Sequence, residues 1–104
     1  MKNANWVRKP QEQEGDYLFN GRMYVTAGVL REISSEGVQS ILSDLKAFVK
    51  EKNGVDYLQV YENDNGQKIY CIDSLSQTMI SGGGYTPEEV QENNYWTMLL
   101  PEEY

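Results

Sequence analysis

Val38-Gln39-Ser40-Ile41-Leu42-Ser43-Asp44-Leu45-Lys46-Ala47-Phe48-Val49 places apolar residues at positions 38, 41, 42, 45, 48 and 49. These spacings form the stripe that an α-helix presents to a core. The flanks agree with it. Ser34 or Ser35 can cap the first turn, Glu36 suits the positive end of the helix dipole, and Lys46, Lys50 and Lys52 suit the negative end. Gly54 fits a left-handed residue beyond the stop. The pattern predicts one long helix over 35–52, and the segments around it must supply the surface it covers.

Those segments have strand composition. Residues 55–62 and 67–73 flank Asn65-Gly66, a tight-turn signal. A two-residue turn there would set Val60 opposite Cys71 and Tyr61 opposite Tyr70. Upstream, Tyr17-Leu18-Phe19 and residues 22–26 flank Asn20-Gly21, which predicts a first hairpin. Residues 77–80 are expected as a short strand and residues 81–84 as a loop. Thr86-Pro87-Glu88-Glu89 has the form of a helix start with a cap, Pro at N1 and Glu at N3. Residues 95–100 form a last strand that Pro101 stops. The expected fold is α+β: an antiparallel sheet of four to six strands with one long α-helix packed on one face. Residues 1–15 are polar and are expected to form an arm with Trp6 and Val7 as its anchors, while residues 16–104 make a single domain.

Composition narrows the chemistry. The 104 residues contain one cysteine and no histidine, so an internal disulfide is excluded and the usual general base and commonest metal ligand are missing. No cofactor and no metal site are expected, and a binding protein is favoured over an enzyme. No apolar run approaches a membrane span, and the start of the chain lacks a signal-peptide centre, so a cytoplasmic location is expected. The net charge of −7 is uneven: residues 1–52 hold eight Lys/Arg against seven Asp/Glu (+1), and residues 53–104 hold one against nine (−8). Such an acidic half repels nucleic acid and anionic membranes and attracts a basic protein surface.

Individual motifs add little. Gly82-Gly83-Gly84 precedes a helix start, but no Lys-Ser/Thr follows and Glu88 and Glu89 already occupy the positive end, which argues against a phosphate loop. Aligning Gly66 with the glycine of a calcium loop puts Tyr61 and Ile72 at ligand positions, so that match fails. Cys71 in a strand, with no histidine to activate it, is expected as a small buried hydrophobe. What remains is the interleaving of aromatics with carboxylates in the second half. The candidate partner-binding residues are Glu62, Asp64, Asp73, Glu88, Glu89, Glu92, Tyr95, Trp96, Glu102 and Glu103.

Arg22-Met23-Tyr24-Val25-Thr26-Ala27-Gly28-Val29 and Asp56-Tyr57-Leu58-Gln59-Val60-Tyr61-Glu62, with the helix between them, resemble a family of small uncharacterised proteins from Gram-positive bacteria and their phages. The resemblance spans about residues 20–72 and brings no catalytic residues with it. By class analogy it implies an inhibitor of the anti-CRISPR kind, whose carboxylates would occupy the Lys- and Arg-lined channel of an RNA-guided nuclease as a nucleic-acid mimic. The expected partner is then a basic protein surface, with no direct nucleic-acid and no membrane contact. The rival expectation is a homo-oligomeric accessory protein, a dimer for instance, whose exposed strand edge or aromatic face pairs with its own copy, with the apolar strand 95–100 as the hint.

Overall fold

The structure, a computed structural model, describes residues 5–104. The predicted long helix is present with the predicted bounds, α2 at Ser35–Lys52. Ser34 accepts the Gly37 N–H at its start, and Asn53 takes the left-handed conformation at its end. Three shorter helices accompany it: α1 (Ala27–Glu32), α3 (Gln77–Ser81) and α4 (Pro87–Asn93). Thr26 caps α1 and Ser76 caps α3. The expected strand at 77–80 is therefore a helix, because the Ser76 hydroxyl accepts the Met79 N–H and closes the first turn. The capping box at Thr86 and Glu89 opens α4 as expected.

Five strands, β1 (Trp6–Arg8), β2 (Arg22–Val25), β3 (Leu58–Asn63), β4 (Lys68–Asp73) and β5 (Tyr95–Leu99), form one sheet in the order β1-β3-β4-β5-β2. The fold class is α+β, but the sheet is mixed, since β2 runs parallel to β5 while the other pairings are antiparallel. Both strands of the parallel pair start at the same end. The Arg22 N–H donates to the Asn94 carbonyl at 3.1 Å, and the Arg22 guanidinium reaches the carbonyls of Gln91 and Glu92. Gly21 is required at this approach, because a Cβ there would collide with the Asn94 carbonyl.

The first expected hairpin does not form. Tyr17 bridges to Val55, and Phe19 adopts a left-handed φ of 49° that turns its ring onto Trp96. The second hairpin forms with its register one residue away from expectation: Val60 faces Tyr70 and Tyr61 faces Ile69. The cause is a three-residue tip with Gly66 at φ 79°, while the Asn63 carboxamide accepts the Asn65 and Gln67 N–H groups. A one-residue slip exchanges faces, so Tyr61 and Tyr70 end up on opposite sides of the sheet.

On the inner face, Val38, Ile41, Leu45 and Val49 of α2 pack against Tyr61, Ile69, Cys71, Trp96 and Met98. Each large apolar side chain fully buried here stabilises the fold by roughly 1.5–3 kcal/mol. Residues 6–8, expected within an arm, are instead an edge strand tied to the helix. The Arg8 guanidinium pairs with Asp44 at 3.2 Å and lies 3.6 Å from the Phe48 ring centroid, while the Tyr61 hydroxyl donates to the same Asp44 carboxylate at 2.7 Å. Burial, and then that carboxylate, push the Tyr61 hydroxyl pKa far above its ordinary value. Residues 1–4 lie outside the described residues, and none of the described helices is long and apolar enough to cross a membrane.

Candidate functional site

Strand alternation sends every second side chain away from α2. In the observed register the outward set comprises Val7, Leu58, Val60, Glu62, Lys68, Tyr70, Ile72, Tyr95, Thr97, Arg22 and Tyr24. Leu58, Val60, Tyr70 and Ile72 remain half-exposed, and Val7 and Tyr24 are 58% and 47% exposed. The face is rich in tyrosine. Tyr24 and Tyr95 meet edge to face at 5.4 Å with the Arg22 guanidinium beside Tyr24. Tyr70 meets Tyr104 edge to face at 5.7 Å, and Tyr57 contacts Tyr17 at 6.1 Å. The neighbouring Tyr104 phenol raises the Tyr57 pKa above its ordinary value.

The short helix Pro101–Glu103 brings Tyr104 back onto this face. Glu103 anchors the turn. Its carboxylate accepts the Thr26 hydroxyl at 2.6 Å and the Leu100 N–H at 2.8 Å, which holds its pKa below the usual carboxylate range. Residue 103 thereby ties the chain end to the cap of α1.

The other sequence candidates divide by role. Trp96 is 3% exposed and packs on Phe19, and Asp73 is 4% exposed and accepts the Phe19 and Ser74 N–H groups at 2.9 Å each. Both belong to the interior. Glu62 lies on the outward face and pairs with Lys9 at 3.2 Å. Glu89 closes the capping box of α4, and Glu88 and Glu92 are exposed on the same helix. No family model, no curated protein and no solved structure matches this chain. The fold sets the geometry of the acids.

That geometry gives two groups. Glu88, Glu89 and Glu92 stand on α4, which leads into β5 at the Asp73–Trp96 end of the sheet. Asp64 occupies the β3–β4 tip, and Glu102 lies beside Gly66 and Lys68 at the same end. A six-residue strand separates the groups by roughly 20 Å. The tyrosines lie between them. Of these tyrosines only Tyr95 is a contact candidate in the sequence; Tyr17, Tyr24, Tyr57, Tyr70 and Tyr104 come together through partners distant in sequence.

β5, the strand on which pairing between copies was expected, has β4 on one side and β2 on the other. The unpaired edges belong to β1 and β2. Cys71 is fully buried, and burial pushes its thiol pKa well above the ordinary value, a setting without nucleophilic character. Among the described residues no cluster of three or more Cys, Asp or Glu is placed to hold a metal ion.

Proposed function

We propose that this chain is a non-catalytic binding module that holds a basic protein surface against its outward sheet face. The observation that carries the reading is the gathering of Tyr24, Tyr70, Tyr95 and Tyr104 on that face, with exposed carboxylates at both of its ends. Tyrosine supplies large contact area at small entropic cost, and the flanking acids steer a cationic partner and set its orientation. The basic channel of an RNA-guided nuclease is one surface of this kind, and it gives the first partner to try. Two separated acidic groups favour an aromatic-centred contact over a continuous row of carboxylates mimicking a duplex.

The test is a pull-down of such a nuclease with three forms of the chain. One is wild type, one carries Tyr70→Ala and Tyr95→Ala, and one carries the exposed Glu88, Glu92 and Glu102 as Gln. Capture lost in the tyrosine variant and made less salt-sensitive in the glutamine variant is the expected result. Capture that survives the tyrosine changes but not the glutamine changes would replace the aromatic contact with charge mimicry. A chain that captures nothing and sediments as a dimer would favour the homo-oligomeric accessory protein.

A further inference from the structure

On the side of the sheet that α2 covers, the segment 18–23 stands off from the helix and leaves an open cleft of about 590 Å3. Its floor and walls are apolar: Leu18, Phe19, Met23, Leu42, Val49 and the edge of Trp96. The polar groups at its mouth are Lys46, Lys50, Asn20 and Asn53. In a chain with 16 acidic and 9 basic residues, no Asp or Glu lines this cleft. Lys46 and Lys50 lie one helical turn apart on one face of α2. Among the described residues neither forms an ion pair, and the side-chain amides of Asn20 and Asn53 have no protein partner.

A site with an apolar body, cationic and amide donors at one rim and no competing carboxylate is complementary to an amphipathic anion. Its volume lies within the range of small-ligand pockets. We infer that the cleft between α2 and residues 18–23 binds a small amphipathic carboxylate of the fatty-acid type, with the tail against Phe19, Leu42 and Trp96 and the carboxylate between Lys46 and Lys50. Leu42 fits this assignment, since it belongs to the apolar stripe of α2 yet is only half-buried. The site lies on the opposite side of the sheet from the tyrosine face, and its occupancy does not depend on the partner proposed there.

The experiment uses the whole chain, titrated by calorimetry with octanoate, decanoate and dodecanoate below their micellar concentrations, and with decanol as the uncharged control. Trp96 emission, read in a Trp6→Phe background, serves as the local reporter. Affinity should rise about fourfold for each methylene buried. Decanoate should bind more tightly than decanol, and the Lys46→Gln, Lys50→Gln double variant should weaken decanoate about tenfold while leaving decanol unchanged. Both lysines are exposed, so this variant keeps the fold. Equal binding of decanoate and decanol, or a double variant without effect, would overturn the anion assignment. The absence of any saturable heat or emission change would overturn the site. A dimer of the ligand-free chain that Leu42→Asp disperses would assign the cleft to a second copy and likewise overturn it.

Discussion

Asp73 separates a structural reading from a partner-contact reading, because the two expect opposite results from one substitution. Its carboxylate accepts the Phe19 N–H and the Ser74 N–H, each at 2.9 Å, and Asp73 is 4% exposed. The Phe19 bond holds a residue whose φ of 49° is unfavourable for a side chain of its size. Asp73→Ala leaves the buried Phe19 amide unpaired and the half-buried Ser74 amide partly rehydrated, at roughly 1–3 kcal/mol for a fully buried group. Relief of strain at Phe19 returns about 1 kcal/mol, so a net loss of about 1–2 kcal/mol is expected in urea unfolding followed by Trp emission. A loss below about 0.5 kcal/mol would mean that these bonds do not hold Phe19 in place, and would leave Asp73 as a contact candidate. The pH dependence has its own sign. Burial raises the Asp73 carboxyl above its ordinary 3.8, against the amides of Phe19, Ser74 and Leu75 that lower it. The folded chain then holds this proton more tightly than the unfolded chain, so the contribution is complete below the unfolded value and lost as pH rises through the raised one. The margin of wild type over Asp73→Ala should therefore shrink from about pH 4 to pH 7; a margin that widens would mean that the amide hydrogen bonds outweigh desolvation.

Three further expectations rest on single contacts. Gly37→Ala, a change that ordinarily stabilises a helix interior by about 0.5–1 kcal/mol, should lower Tm here. Its Cβ would lie 2.9 Å from the Trp6 indole nitrogen and 3.0 Å from Ile33 Cγ2, so a rise in Tm would show that β1 is not held against α2. Thr86→Ala removes the cap that accepts the Glu89 N–H and should destabilise α4 by about 1 kcal/mol. Faster hydrogen exchange confined to 87–94 is the readout, and unchanged exchange would remove the capping box from the account. Cys71, fully buried with its thiol pKa raised by desolvation, should react with a disulfide reagent only after unfolding; rapid labelling of the native chain would contradict its burial.

The parts of the fold legible in the sequence are those whose signal is local. Helix α2 repeats its apolar residues over about three turns and carries caps at both ends, and Thr86-Pro87-Glu88-Glu89 contains a whole capping box in four residues. The parts that were not legible depend on distant partners. β2 pairs with β5 across some seventy positions in sequence, and no pattern in residues 22–25 distinguishes that parallel partner from a hairpin neighbour at 17–19. β1 is three residues long, too short for alternation to register. Ser76 is an ordinary cap for α3, but Thr78 and Ile80 are β-branched and argue locally for a strand. The candidate site shows the same division. Tyrosines among carboxylates were visible as composition, whereas the assignment of Tyr61 to the interior and Tyr70 to the surface turns on a register that one residue at the 64–66 tip decides.

That register also gives the uneven charge of the chain a direction. The first half supplies α2, which closes the inner face and places Lys46 and Lys50 at the mouth of a cleft without carboxylates. The second half supplies β3, β4 and β5, whose outward side chains carry the tyrosines, while α4 and the end of the chain set acids at both limits of that face. The exposed acids of α4 and of the chain end therefore stand apart from Lys46 and Lys50, which line the cleft beside α2. Salt screens exposed charges over about 10 Å, so the two proposed sites are expected to act independently of each other. Had the β3–β4 tip closed with two residues, Tyr70 would have turned inward with Tyr61, and the outward face would have lost the ring that joins Tyr104 to the sheet.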